Sequence, residues 1–147
     1  MANLGHADRL GDLVVYQRAR SVAKTIFELS KAFPKEETFS LTDQLRRSSR
    51  SIGAQIAEAW AKRRYEKHFV SKLTDADAEQ HEAYYWVDIA RECGYLELED
   101  AESIMSDLSE IGRMLNSMIN KAALFCSNKD DRICESPTEY ITEDDEI

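Results

Sequence analysis

The stretch SLTDQLRRSSRSIGAQIAEAWAKRR, residues 40–64, decides how the rest of the chain is read. It joins a dense run of bases to many small residues, inside a protein whose formal net charge is −9. Ser40, with Asp43 three positions on, reads as an N-cap followed by an acid in the first helical turn. No proline interrupts the run, and its one glycine, Gly53, lies in the middle. Leu41, Leu45, Ser48 or Ser49, Ile52, Ile56 and Trp60 recur at steps close to the helical period. That period predicts a helix with one packing face and one exposed cationic face.

Before this stretch, residues 1–11 have little apolar content and read as a flexible N-terminus. Asp12 is expected to cap a first helix running to about Phe33. Its apolar seam is Val15, Ala19, Val22, Ile26, Leu29 and Phe33, widened by Ala23 and Phe27. Pro34 stops it, because the residue before a proline disfavours helical dihedrals.

After the stretch, residues 63–66 read either as a tight turn or as a kink into a third helix. That helix runs to about Cys93, with Phe69, Leu73, Ala76, Ala83, Trp86, Ile89 and Ala90 as its inner face, and Gly94 suits a left-handed cap. A fourth helix starts near Leu98 or Glu99. Its seam steps four and three throughout: Ile104, Leu108, Ile111, Leu115, Met118, Ala122, Phe125. Residues 127–147 then hold eight acids against two bases and read as a disordered acidic tail. The expected architecture is all-α, an antiparallel up-down-up-down four-helix bundle over residues 12–126.

Composition agrees. A length of 147 residues suits one domain, and 5 glycines with 2 prolines disfavour a turn-rich β fold. A pI near 4.9 argues against coating nucleic acid with the whole surface. Cys93, Cys126 and Cys134 show no CxxC spacing and read as free thiols in a reducing cytoplasm. No signal-peptide pattern and no apolar run of spanning length occurs, so the expected location is cytoplasmic, with no membrane partner.

Charge is unevenly spread. Residues 40–73 carry eight bases against three acids, whereas residues 74–110 carry twelve acids against the single base Arg91. Three readings follow: a solvated charged face, a complementary contact between identical subunits, or a site for an anionic ligand. Arg46 and Arg50 lie one turn apart, with Arg47 beside them. Arg47, Ser51 and Glu58 share a face, yet Arg47 and Glu58 are separated by roughly 16 Å of helical rise. Each therefore needs a partner from another helix or another chain.

Chemistry-bearing constellations are few. Asp77 and His81 have i, i+4 spacing with Glu82 adjacent, but bundle di-metal sites need two Glu-x-x-His pairs, and the chain has none. His6 and His68 have no ligand partner at suitable spacing. GxSxG, P-loop, GxGxxG and HExxH motifs do not occur, and the serines at 48, 49 and 51 have no nearby histidine base. No cofactor, no metal and no enzymatic activity are expected. Trp60, Tyr65 and Phe69 interleave with Lys62, Arg63, Arg64 and Lys67 like a stacking-plus-phosphate surface, although Trp60 and Phe69 fall on the apolar faces. Tyr84, Tyr85 and Trp86 cannot all face inward from one helix, which makes them candidates for a subunit interface.

The run QLRRSSRSIGAQIAEAW, residues 44–60, resembles a signature of the form Q-L-x-R-small-small-x-S-I-x-x-N-I-A-E-G. That signature belongs to bacterial four-helix-bundle proteins, the ribosomal-RNA intervening-sequence protein family, which is related to accessory proteins of diversity-generating retroelements. Matching positions are Gln44, Leu45, Arg47, Ser48, Ser49, Ser51, Ile52, Ile56, Ala57 and Glu58. Gln55 stands where the family has asparagine, which moves an amide outward by a methylene, and Ala59 stands where it has glycine. A Gly-Tyr-Leu turn at Gly94 and an Ile-x-x-Met-Leu run at Ile111 extend the resemblance over roughly residues 13–125.

The resemblance implies an antiparallel bundle that assembles as a ring-like homo-pentamer, in a family without an established activity. Retroelement relatives bind nucleic acid and a reverse transcriptase through a strongly basic surface, which a chain at −9 does not match. It assigns Gln44, Arg47, Ser51, Gln55 and Glu58 to the signature, for packing or assembly. Arg46, Arg50, Lys62, Arg63 and Arg64 are left as candidates for an exposed anion or nucleic-acid contact. The expected function is a self-assembling interaction or scaffold module. The alternative is a nucleic-acid-binding accessory protein that meets RNA or DNA with the basic face of its second helix.

Overall fold

The computed structural model describes residues 7–126; the expectations for residues 1–6 and for the acidic tail at 127–147 lie outside them. Four long helices follow one another, α1 Val14–Ser30, α2 Asp43–Ala61, α3 Glu66–Glu92 and α4 Leu98–Asn120, and a single turn, α5 Ala122–Phe125, closes them. Helix α1 packs on α2 and α4, and α3 packs on the same two helices. The four therefore stand at the corners of a square. Cross-contacts give their directions. Phe33, just after α1, meets Tyr95, just before α4, at 5.8 Å between ring centroids. At the opposite end Phe69, early in α3, stacks on Phe125 of α5 at 6.0 Å. Neighbouring helices run antiparallel, the up-down-up-down bundle that the apolar periods predict.

The seams of α1 and α4 are buried nearly as expected: Val15, Ala19, Val22 and Ile26 in one, Ile104, Leu108, Ile111, Leu115 and Met118 in the other. Helix α3 differs. Its buried positions are Phe69, Leu73, Ala76, Gln80, Ala83, Val87 and Ala90, a strict four-three alternation. Trp86 and Ile89, expected inside, are half-buried flanks, and Val87 takes the inner place. The polar Gln80 sits in the middle of this seam and interrupts the apolar pattern. Opposite it lies Gly112 of α4, where a Cβ would come within 2.6 Å of the Gln80 Nε2. Missing side chain and buried amide fit together.

The helix starts depart from expectation for a common reason. Asp12 does not cap α1: its Oδ2 accepts from the Arg9 backbone N–H at 3.0 Å and closes a 3-10 turn at Leu10–Asp12. Ser40 does not cap α2, because its hydroxyl donates to Glu37 Oε1 at 2.9 Å. The winding begins earlier, with a 3-10 turn at Lys35–Glu37 and a wide π turn at Thr38–Thr42 that runs straight into α2. Both polar side chains found local partners outside the cap position.

The ends of the other helices are as local chemistry dictates. Residues 62–65 form a tight turn, with the Tyr65 N–H donating to Lys62 O at 3.0 Å. Gly94 has φ 78°, and the Tyr95 N–H returns to Ala90 O at 2.9 Å, the left-handed cap that glycine permits. The last seam breaks at Lys121, and Phe125 reaches the core from α5 as a half-buried ring.

The two flanks of the signature helix as candidate functional site

Because α2 stands between α1 and α3, its polar side chains fall on two flanks. On the α1 side the centre is Phe27, a half-buried ring. The Lys31 ammonium is 4.7 Å from its centroid, and the guanidinium carbons of Arg46 and Arg50 are 4.9 Å and 5.4 Å away. Arg46 is anchored further: its Nε donates to the Oγ of buried Ser30 at 2.8 Å. Lys31 also pairs with Glu28 at 3.1 Å across a mostly exposed contact. Among the described residues neither Arg46 nor Arg50 has a carboxylate partner. An aromatic face attracts cations without neutralising them, so this flank keeps its positive charge while holding it in place.

The α3 flank is arranged in the opposite way. The Lys72 ammonium lies 3.0 Å from Glu58 Oε2, 3.7 Å from Asp75 Oδ2 and 3.5 Å from Gln55 Oε1. The hydrogen bond and charge of Lys72 hold the Glu58 carboxyl below the usual carboxylate range, and the same bond to Glu58 holds the Lys72 ammonium up. Gln55 and Glu58 thus converge on one cation of the neighbouring helix. The longer Gln55 side chain reaches it. Arg47 is exposed, and its charge bears on Glu79 of α3. Burial of Glu79, and then the adjacent Glu82, push the Glu79 carboxyl up all the same, against the downward pull of Arg47. Gln44 and Ser51 are half-buried on the same helix. The partner that Glu58 needs is met by Lys72 of α3 in the same chain, whereas Arg47 makes no salt bridge among the described residues.

The remaining sequence candidates sit at the far end of α2, about 18 Å from Arg50 by helical rise. Arg63 is folded back, its guanidinium 3.4 Å from the Trp60 ring centroid and its Nε donating to Trp60 O at 2.9 Å. Burial pushes its guanidinium down from the ordinary value. Arg64 lies over Tyr65 at 5.9 Å and, like Lys62, is exposed. The structure therefore brings Arg46 and Arg50 together and keeps Lys62, Arg63 and Arg64 apart from them. Sequence reasoning missed Phe27 and Lys31 as members of the first group, and Lys72 as the partner of Gln55 and Glu58. The i, i+4 spacing of Phe27 and Lys31 was the available signal for the former.

Between α3 and α4 runs an open groove of about 700 Å³ lined by Asp77, Gln80, His81, Tyr84, Arg113 and Asn116 among others. His81 Nε2 is 3.7 Å from Asp77 Oδ2, and Asn116 Nδ2 donates to Gly112 O at 2.8 Å. Among the described residues no three His, Cys, Asp or Glu side chains come together as a metal site. Nor is any helix among them long and apolar enough to cross a membrane.

A square antiparallel bundle whose second helix carries this signature on one flank defines a class. The 23S rRNA-intervening sequence protein family matches residues 11–117. The chain belongs to that family. It is similar to a protein with unknown function from the S23 ribosomal protein family of Bacteroides thetaiotaomicron VPI-5482, whose crystal structure was determined at 1.70 Å. The two share 34% sequence identity at a TM-score of 0.66, over 72% of this chain and 98% of that one. No curated protein sequence matches the chain.

Proposed function

We propose that the protein is a non-enzymatic cytoplasmic interaction or scaffold module that works as a homo-oligomer, its subunits joined head to tail. The observation that supports this reading is the charge on opposite sides of the square. The α1–α2 side carries Arg46 and Arg50, without carboxylate partners among the described residues. Residues 74–110, from α3 into α4, hold twelve acids against the single base Arg91, and of these acids Glu110 is paired with Arg18 of α1 and Asp75 with Lys72. Complementary patches on opposite sides make a heterologous contact, which closes into a ring when the rotation per subunit allows. Five subunits is the number the family resemblance implies. Tyr84 and Tyr85, 37% and 56% exposed on α3, are suited to receive guanidinium groups from a neighbouring copy. Light scattering at micromolar concentration in moderate salt tests the idea, and a monomer there ends it.

A second reading rests on the same two arginines. Arg46 and Arg50, with Lys31, and separately Lys62, Arg63 and Arg64, present cations to a phosphate backbone, as a nucleic-acid accessory protein requires. Binding of structured RNA or single-stranded DNA would weaken steeply as salt rises, through counterion release. A mobility-shift assay that shows no complex at low salt removes this reading.

A further inference from the structure

The buried amide of Gln80 has no hydrogen-bond partner on the helix it faces. Gln80 is 5% exposed, yet its Nε2 donates only to Asp77 Oδ1, at 3.3 Å and on its own helix. Its Oε1 accepts no hydrogen bond among the described residues. The amide therefore does not lock α3 to α4, and a buried polar group left half-satisfied costs stability. Room for it comes from Gly112 in the interior of α4, where glycine is itself a poor helix former. Two unfavourable choices meet at one point. An apolar pair would fill the seam better, and such departures from the local rules concentrate at functional sites. This point opens on the α3–α4 groove, which both residues line. The groove volume of about 700 Å³ falls within the range of roughly 300–1,000 Å³ typical of small-molecule sites.

We propose that this groove binds a guanine mononucleotide, with the base edge on Gln80 and Asp77 and the phosphate on Arg113. The floor offers the second N–H and the Oε1 of the Gln80 carboxamide, together with Oδ2 of Asp77. His81, with its side chain 74% exposed, stands 3.7 Å from that Oδ2, beyond hydrogen-bond reach, and leaves it open. A ligand that satisfies this floor must bring donors to two oxygens and accept from one N–H. Guanine alone among the four RNA bases carries two donor groups and an acceptor on one edge, at N1, N2 and O6. A base with a single donor group leaves a buried acceptor unmatched, which is how a polar site rejects an analogue. Tyr84 lines the same groove one turn beyond Gln80, 37% exposed, and presents a ring on which a base can stack. Charge suits a phosphate. Arg113 and Lys121 also line the groove, and neither makes a salt bridge among the described residues. Arg113 follows Gly112 directly, which puts a cation beside the floor, and Lys121 stands about 12 Å further along by helical rise. The site shares Tyr84 with the contact proposed between subunits but does not rest on that contact.

Isothermal titration calorimetry of the full-length protein with GMP, AMP, CMP, UMP and guanosine, all at one ionic strength, tests the proposal. GMP should bind at least about tenfold tighter than the other three nucleotides, the discrimination that a lost base-edge contact gives. Arg113→Gln changes an exposed side chain, so the bundle stays folded. It should weaken GMP about tenfold through the lost charge-assisted bond and leave guanosine unaltered. Gln80→Leu should bring the four nucleotides to equal affinity. Gly112→Ala sets a Cβ 2.6 Å from the Gln80 Nε2, which displaces the amide, and should likewise abolish the preference for GMP. No binding at millimolar GMP, or equal affinity for the four nucleotides in the wild type, would overturn the proposal. So would a preference for GMP that survives Gln80→Leu, or an affinity for GMP unchanged by Arg113→Gln.

Discussion

Helix α2 carries polar residues on two flanks, and the flanks treat charge in opposite ways. Toward α3, the signature residues Gln55 and Glu58 close on Lys72, so the polar groups are matched inside the chain. Toward α1, Arg46 and Arg50 lie on the Phe27 ring with no carboxylate among the described residues. The matched flank fixes how α2 sits on α3. The unmatched flank presents pre-positioned cations, held by an aromatic ring and, for Arg46, by Ser30. A signature residue is thus not automatically a contact residue. In this helix the residues beside the signature are the better placed to meet a partner.

Both flanks depend on the layer beneath them, so the largest effect should come from breaking that layer. Ile52 is fully buried on α2 between the two. Ile52→Ala removes buried methylene groups and leaves a cavity, and should lower unfolding free energy by about 2–5 kcal/mol in chemical denaturation. Both flanks should loosen together, with lower amide-exchange protection at Arg46 and at Glu58 alike. Protection lost on one flank alone would mean that the flanks do not share a foundation.

The next effect separates them. Arg46→Glu combined with Arg50→Glu reverses the charge of the unmatched flank while leaving Lys72, Gln55 and Glu58 in place. Self-association should weaken at least about 100-fold, since like charges then meet across the contact. Circular dichroism should still report a folded helical bundle, with some stability lost through the Arg46–Ser30 bond. An oligomer unchanged in size would show that assembly does not use this flank.

How far the sequence reveals this arrangement depends on what surrounds each residue. The seam of α4 is legible because every inner position is apolar and the step never deviates. That of α3 is less so, because Gln80 breaks the apolar period and Gly112, the feature that admits it, belongs to another helix. Asp12 and Ser40 have the chemistry of caps, yet Arg9 and Glu37 lie close enough to claim them. Phe27 reads as a widening of the α1 core, and only the packing of α2 beside it reveals three cations on its ring. The link from Lys72 to Gln55 and Glu58 depends on the register across the turn at residues 62–65, which local periodicity does not fix.

A smaller effect should follow from opening the matched flank. Lys72→Met leaves Gln55 and Glu58 without their cation, but these groups are partly exposed, where an ion pair contributes little. The melting temperature at neutral pH should fall slightly and the oligomer should keep its size. The pH dependence carries the signature of the pair. Because the Glu58 carboxyl is held below its ordinary value in the folded state, its contribution is present above that value. It is lost as pH falls through the lowered one. The difference in melting temperature between wild type and Lys72→Met should therefore shrink in acid, and a constant difference would argue against the pair.

The smallest effect has the opposite sign. Glu79 shares the α3 flank, but burial and the neighbouring Glu82 push its carboxyl above the ordinary value of 4.5, and Arg47 only partly offsets them. For a group raised on folding, the associated stability is fully present below the unfolded value and is lost as pH rises through the folded one. At neutral pH the ionised Glu79 is therefore a net cost to the folded state. Glu79→Gln keeps the shape and removes the charge, so it should raise the melting temperature at pH 7 by no more than a few degrees. The gain should vanish once wild-type Glu79 is itself protonated, at or below its ordinary value. If Arg47 instead drew real stability from Glu79, the substitution would lower the melting temperature at pH 7. The signature arginine would then be matched within the chain as fully as Glu58 is.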